Sequence, residues 1–442
     1  MPRHLLATLA CFFISSLALA QTREEKVRND RQKVEKTGYW IYNDLPRGFA
    51  EAKSSGKPLI VVLRCIPCEE CVKLDDELID QHPAVAPLLD KFVRVRQIST
   101  NGLDLATFQY DYDQSFAVFL LNAEGQIYGR FGTRSHRTDW HDDVSIDGLG
   151  KAMQKALDLH AKWPAGQPLV EGKRGPAPEV ASPEKFPELK DKYGPALATS
   201  GEIVKSCIHC HQVGEALKSW HREKDGGRLA DKVLFPYPHP KSLGLILDPR
   251  ECATVERGEP ESPAAKAGFE AGDVIESLGG QIPLSIADVQ WFLHHVPAEG
   301  GPVEAVVTRG GAKKTLTMTL APGWRRKDDI AWRASSWTLR RWGTGGIFSE
   351  AVPAEERAPL KLEPNAMALR IKHVGQYPPH NVAQKAGFQK GDILVSFDGR
   401  ADLVRETDLL AYTMSDLKPG ARVEVGVLRD GARKTLSFTL PE

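Results

Sequence analysis

The chain has 442 residues, 41% of them hydrophobic, and its 58 lysines and arginines are balanced by 58 aspartates and glutamates. That length accommodates about three domains, and the charge balance excludes a bulk field that would draw in nucleic acid or an anionic membrane surface. No later stretch approaches the roughly 20 apolar residues of a membrane span, which excludes an integral helical membrane protein.

Residues 1–20 read as a signal peptide. Arg3 and His4 form a short basic start, Leu5 to Leu17 is largely apolar, and Ala18-Leu19-Ala20 supplies small residues for cleavage. Cys11 lies too early in that run, behind Thr8-Leu9-Ala10, to be a lipid attachment site, and reads as a residue discarded with it. The expected location is the periplasm or the exterior. Of the six remaining cysteines, five fall in two tight clusters, a pattern of redox or metal chemistry rather than of a disulfide scaffold.

A charged segment, frayed or helical, covers residues 21–37, and a globular segment follows over 38–163. Within it, Lys57-Pro58-Leu59-Ile60-Val61-Val62-Leu63 has the β-branched apolar character of a buried central strand. The next stretch carries Cys65, Cys68 and Cys71 and reads as a strand running into a helix, where unpaired amides and the helix dipole favour a thiolate. Strands at Phe92–Ile98 and Phe116–Leu121 and a helix at Ile146–His160 complete an α/β order that resembles the thioredoxin-like superfamily. The resemblance puts the family's redox pair on Cys68 and Cys71, with Cys65 as an extra thiol. Glu69 and Glu70 between the sulfurs oppose a thiolate, and Phe116 stands where thioredoxins carry a cis-proline. A redox pair, a copper or zinc site held by thiolates, and a structural cluster are all compatible with these three cysteines.

Seven prolines between Pro164 and Pro195 mark residues 164–193 as an extended linker. Beyond it, Cys207-Ile208-His209-Cys210-His211 is a Cys-x-x-Cys-His pentapeptide in a short segment, 194–239. Its two thiols have the spacing that adds to one haem, with His211 as an iron ligand, and it resembles the attachment region of c-type cytochromes. Zinc on two thiolates and a histidine is the competing metal reading. No methionine lies between Met153 and Met318 to serve as the sixth ligand, so His239, in the proline-stiffened turn Pro236 to Pro240, is the expected distal partner.

The rest is a duplication. Ala264-Ala265-Lys266-Ala267-Gly268-Phe269-Glu270-Ala271-Gly272-Asp273 recurs as Ala383-Gln384-Lys385-Ala386-Gly387-Phe388-Gln389-Lys390-Gly391-Asp392, and each copy ends in a basic hairpin and an alternating strand. The units, 240–322 and 363–442, resemble PDZ domains of the bacterial periplasmic type. That resemblance implies capture of a C-terminal or extended peptide at a sheet edge, with Ser242, Leu243, Gly244 and Leu245 as the carboxylate loop of the first unit and Ala366-Met367-Ala368-Leu369 as its glycine-less counterpart. Docking within the same chain is the competing use of either groove. A connector, 323–362, crowds Trp324, Trp332, Trp337 and Trp342 among arginines, suited to Trp–Arg stacking.

The fold class is therefore multidomain: a thioredoxin-like α/β domain, a short helical haem-type segment and two mainly-β PDZ domains. The combination resembles the thioredoxin-like/PDZ domain (seleno)protein family, some members of which carry selenocysteine, and this resemblance implies a redox role for the cysteine cluster. The leading expectation is an exported thiol and haem redox protein, thiol–disulfide oxidoreductase-like, with covalent haem c relaying electrons to a redox partner and a PDZ groove recruiting a partner's tail. A non-catalytic adaptor whose cysteines hold haem or metal structurally, and a metallochaperone, are the alternatives. With no Gly-Asn-Ser-Gly-Gly loop in the chain, a serine protease is not expected.

Overall fold

Leu59–Arg64 (β2) is buried at every position, because both faces of this strand are covered. It sits at the centre of a five-stranded sheet ordered β1-β3-β2-β4-β5, formed with Ile41–Tyr42 (β1), Val93–Gln97 (β3), Phe116–Leu121 (β4) and Ile127–Thr133 (β5). β1, β3 and β2 run parallel, while β4 and β5 are antiparallel additions. The computed structural model describes residues 21–64, 82–83, 85–114, 116–133 and 144–442.

Among the described residues, three longer helices dress this sheet. Arg23–Thr37 (α1) starts at a Thr22–Glu25 capping box and ends at Gly38. It is docked rather than frayed: Asp30 pairs with the buried Arg64 at 2.7 Å, and Val27 packs on Ile98 and Ile203. Leu45–Ser55 (α2) lies against β3, and Ile146–Ala161 (α3) buries Leu149, Ala152, Met153, Ala156 and Leu159 in the core beneath β5.

The proline-rich stretch is not the extended linker its composition suggests. It is a strap of short 3-10 turns whose Val170, Lys173, Phe186 and Leu189 are buried between neighbouring domains. The helix Cys210–Lys224 (α4) follows, its Val213 and Ala216 packed with Leu105 and Phe186.

The first repeat builds a two-stranded sheet, Leu245–Leu247 (β6) with Val255–Gly258 (β7), and a three-stranded one from Val274–Leu278 (β8), Gly301–Arg309 (β9) and Ala312–Leu320 (β10). Its long helix is Ile286–His295 (α5). The second repeat forms one sheet of five, ordered β11-β12-β13-β14-β15: Ile347–Ala351, Leu369–Val374, Ile393–Phe397, Arg422–Arg429 and Ala432–Thr439. Its longer helices are Ser336–Thr344 (α6) and Glu406–Ser415 (α7). The recurring Gly-Asp of the duplication now has a physical role. Asp273 and Asp392 are buried, and each takes a two-pronged bond from the arginine of its own closing hairpin, Arg309 and Arg429, at 2.6 and 2.7 Å.

The connector expected before residue 363 is part of this architecture. Its first half packs Trp324 into the core of the first repeat, and its second half supplies α6 and β11 to the second. Arginines stack on its indoles as composition suggested: Arg333 on Trp332 at 4.7 Å and Arg340 on Trp337 at 4.8 Å.

Candidate functional site

Two kinds of site were legible in the sequence, cysteine clusters and PDZ grooves. Cys65, Cys68 and Cys71 lie outside the described residues. What is described is their approach: Arg64, the last residue of β2, stands opposite Phe116, the first of β4.

The pentapeptide is brought to the thioredoxin-like domain, at the end of β3. Ile208 is fully buried there. Its amide donates to Asn101 Oδ1 at 2.8 Å, and its carbonyl accepts from Thr100 N–H and Oγ1 at 3.0 and 2.9 Å. Cys207 Sγ lies 3.7 Å from the Ile98 carbonyl oxygen, and Cys210 Sγ accepts from the Tyr110 hydroxyl at 3.0 Å. Burial pushes the Cys207 thiol up to about 12 and also raises that of Cys210, so both are protonated at neutral pH. His211 is exposed at the start of α4, its ring stacked on His209 at 5.7 Å.

A covalent haem needs both sulfurs on the edge of one macrocycle. Here each sulfur faces the thioredoxin-like domain on a separate protein partner, so the arrangement does not fit haem c, and no chemistry is derived through it. His239 is likewise given a structural position: it caps the 3-10 turn Pro240–Leu243, its Nδ1 accepting from Lys241 N–H at 3.1 Å. Among the described residues no group of three His, Cys, Asp or Glu is placed to hold a metal ion. Because thiolate is the reactive form, iodoacetamide at pH 8 is expected to label Cys207 of the folded protein at least about a hundredfold more slowly than free cysteine, and Cys210 more slowly than free cysteine as well. Mass spectrometry after timed quenching checks this; labelling at the free rate would refute the buried, protonated description.

In the first repeat, Ser242, Leu243, Gly244 and Leu245 run from the turn into β6. Gly244 adopts φ +72°, and a Cβ there would come within 2.2 Å of Ser262 Cβ, so only glycine fits. Its amide is already used, donating to the Lys241 carbonyl at 2.9 Å. β6 has β7 on one side and no described strand on the other.

In the second repeat the expected loop is corrected. Met367 and Ala368 are buried in the run into β12, with Met367 N–H donating to the Ala401 carbonyl at 2.6 Å. The strand that pairs with β12 as β6 pairs with β7 is β11, and the turn leading into it is Gly345-Gly346-Ile347-Phe348. A Cβ on Gly346 would meet the His380 carbonyl oxygen at 1.9 Å, the same demand for glycine as at Gly244. The signal was present as a glycine before an apolar pair. It was missed because residues 352–368, including a short helix, intervene between β11 and β12 and break the repeat offset.

This second groove holds an internal acid. The buried Glu406, at the start of α7, accepts Ser349 N–H of β11 at 2.8 Å and pairs with the buried Arg340 of α6 at 2.5 Å. Arg340 O in turn accepts the Gly346 amide at 2.9 Å. The long helices of the two units keep an offset of 120 residues, which puts Ile286 at the position of Glu406. The first groove therefore has no carboxylate at this place.

Comparison with known proteins agrees with these units. A thioredoxin-like family model matches residues 40–123, and PDZ models match 254–299 and 372–440. The chain is 28% identical over 189 residues to a probable periplasmic serine endoprotease DegP-like of Halomonas elongata, covering 42% of this chain and 36% of that protein. It is 28% identical over 205 residues to the protein of the same name in Pseudomonas savastanoi pv. phaseolicola, covering 46% and 40%. Among solved structures it is similar to the HtrA-type protease AlgW with decapeptide, at 14% identity and a TM-score of 0.20 over 32% of this chain and 48% of that one. It is also similar to a serine endoprotease from Yersinia pestis, at 18% identity and a TM-score of 0.15 over 22% and 30%. The chain spans about two fifths of the length of these curated relatives.

The redox reading and the exclusion of a serine protease do not stand against relatives that are named serine endoproteases. The chain is periplasmic or secreted, like relatives named periplasmic, and no described helix is long and apolar enough to cross a membrane. It carries a thioredoxin-like domain followed by two PDZ domains.

Proposed function

We propose that this chain binds polypeptides in the periplasm, its first PDZ unit taking an extended stretch of a partner as a further strand on β6, in the protein-degrading setting of its DegP-like relatives. The observation that carries this reading is the edge of β6, which has no strand beside it among the described residues. An unpaired edge next to a helix is how PDZ domains add a ligand strand, main-chain bonds supplying affinity. Gly244 spends its amide on Lys241, which favours an extended stretch over a terminal carboxylate. The second unit is the weaker receptor, since Glu406 already takes the Ser349 amide.

The test is hydrogen exchange on the full chain with and without β-casein, an unstructured polypeptide. Slower exchange at 245–247 with little change at 347–351 is expected. Protection confined to other segments would sink the reading, and a gel of the same incubation reports whether the chain cuts what it binds.

A further inference from the structure

A cavity of about 310 Å³ lies where the thioredoxin-like domain, the strap, α4 and α5 meet. Its volume falls at the lower end of the range for small-molecule sites, and domain junctions are where such sites gather. Tyr112, Phe186, Leu217 and Tyr237 make its walls largely apolar. Nothing in the peptide-binding reading uses it.

Its charge is uneven. The two acids in the lining, Asp111 and Asp113, are already matched: Arg333 pairs with Asp111 at 2.5 Å and approaches Asp113 at 3.5 Å, and Lys218 lies 3.9 Å from Asp113. Among the described residues one lining cation is left over. Lys232, at the exposed mouth, has no acid within ion-pair distance among the described residues. Behind α5 and outside the lining, the buried Arg325 donates to the carbonyls of Phe235, Leu293, His294 and Val296 and adds positive charge near His294. His294, whose ring stacks on Tyr237 at 4.1 Å, accepts Tyr237 N–H on Nδ1 at 3.2 Å. In the neutral ring that leaves the proton on Nε2, a donor. Burial, followed by the neighbouring His295, Arg325, Lys232 and Arg333, holds His294 well below its usual range, so it is a neutral donor in a positive field.

From this juxtaposition of apolar walls, a donor imidazole and the unmatched Lys232, we infer that the cavity binds a small monocarboxylate with an aromatic or short acyl body. The carboxylate lies toward Lys232 and His294, and the body lies against Leu217 and Tyr112. Placing an anion there satisfies charge that the protein itself leaves unmatched, whereas a neutral ligand of the same shape gains only the apolar contact.

The test uses the full chain without its signal segment, titrated calorimetrically with 3-phenylpropionate and with 3-phenylpropan-1-ol. Tryptophan fluorescence is a second signal, because the Trp291 ring lies 4.1 Å from that of His295 in the lining. One-to-one binding of the acid is expected, with the alcohol at least tenfold weaker. Lys232→Ala should weaken the acid at least tenfold and leave the alcohol unchanged, and Leu217→Trp should abolish both by filling the space. If Leu217→Trp fails to fold, as read by circular dichroism, the acid–alcohol difference and the surface variant decide alone. Equal affinity for acid and alcohol, no saturable binding of the acid, or an unchanged Lys232→Ala would each overturn the inference.

Discussion

Asp288→Ala is expected to cost about 3–5 kcal/mol, the range for stripping one partner from a buried ion pair, and to uncouple the first PDZ unit from the thioredoxin-like domain. Asp288 is where three segments meet. Its Oδ2 takes Lys173 Nζ of the strap at 2.7 Å and Leu284 N–H at 2.9 Å, while Oδ1 takes Arg130 N–H of β5 at 3.0 Å. Lys173 also donates to the Tyr128 carbonyl, and burial draws its pKa down to about 8 against the opposing pull of Asp288. Removing the carboxylate leaves an ammonium enclosed with one carbonyl, which is costlier than never having buried it. Asp288→Asn keeps an acceptor for Arg130 N–H and loses the charge, so it should be milder. Scanning calorimetry of the full chain is the measurement: the alanine variant should melt several degrees earlier and resolve into separate steps. A transition identical to the parent would mean the domains are held by something else.

Glu406→Ala is expected to cost a similar amount, about 3–5 kcal/mol, and to change what the second PDZ unit does. The variant leaves the Arg340 guanidinium buried with the Ala331 carbonyl, Trp337 and Phe348 for company and frees the Ser349 amide on β11. If Glu406 is what closes this groove, β-casein should slow exchange at 347–351 in the variant and not in the parent. Glu406→Gln supplies the control, since an amide oxygen still accepts from Ser349 while the charge on Arg340 goes unanswered. A destabilised variant whose β11 amides ignore casein would show the pair to be structural glue only.

The elements that sequence made legible are those whose cause is local. The apolar run of β2 marks a strand covered on both faces wherever it is placed, and burial at all six positions follows. The duplicated Gly-Asp stretch and its basic hairpin carry their own hydrogen-bond logic in the Arg309–Asp273 and Arg429–Asp392 pairs. Gly244 was readable because a left-handed turn admits little else.

What only the tertiary structure decided is which groups face each other. Prolines between 164 and 195 describe a stiff chain equally well in solvent or pinned under Lys173, and the pinning comes from Tyr128 and Asp288, one of them 115 residues away. The spacing of Cys207 and Cys210 is the same for a haem site and a docked loop; contacts with Ile98 and Tyr110, a hundred residues upstream, choose the loop. The second PDZ loop hid behind an insertion that alters sequence offset and leaves strand pairing intact. The charge imbalance at the cavity arises because Arg333 and Lys218 reach Asp111 and Asp113 across domain boundaries, while Lys232 meets no acid among the described residues. Periodicity and motif are properties of neighbouring residues, and these pairings are made between segments that the sequence does not bring together.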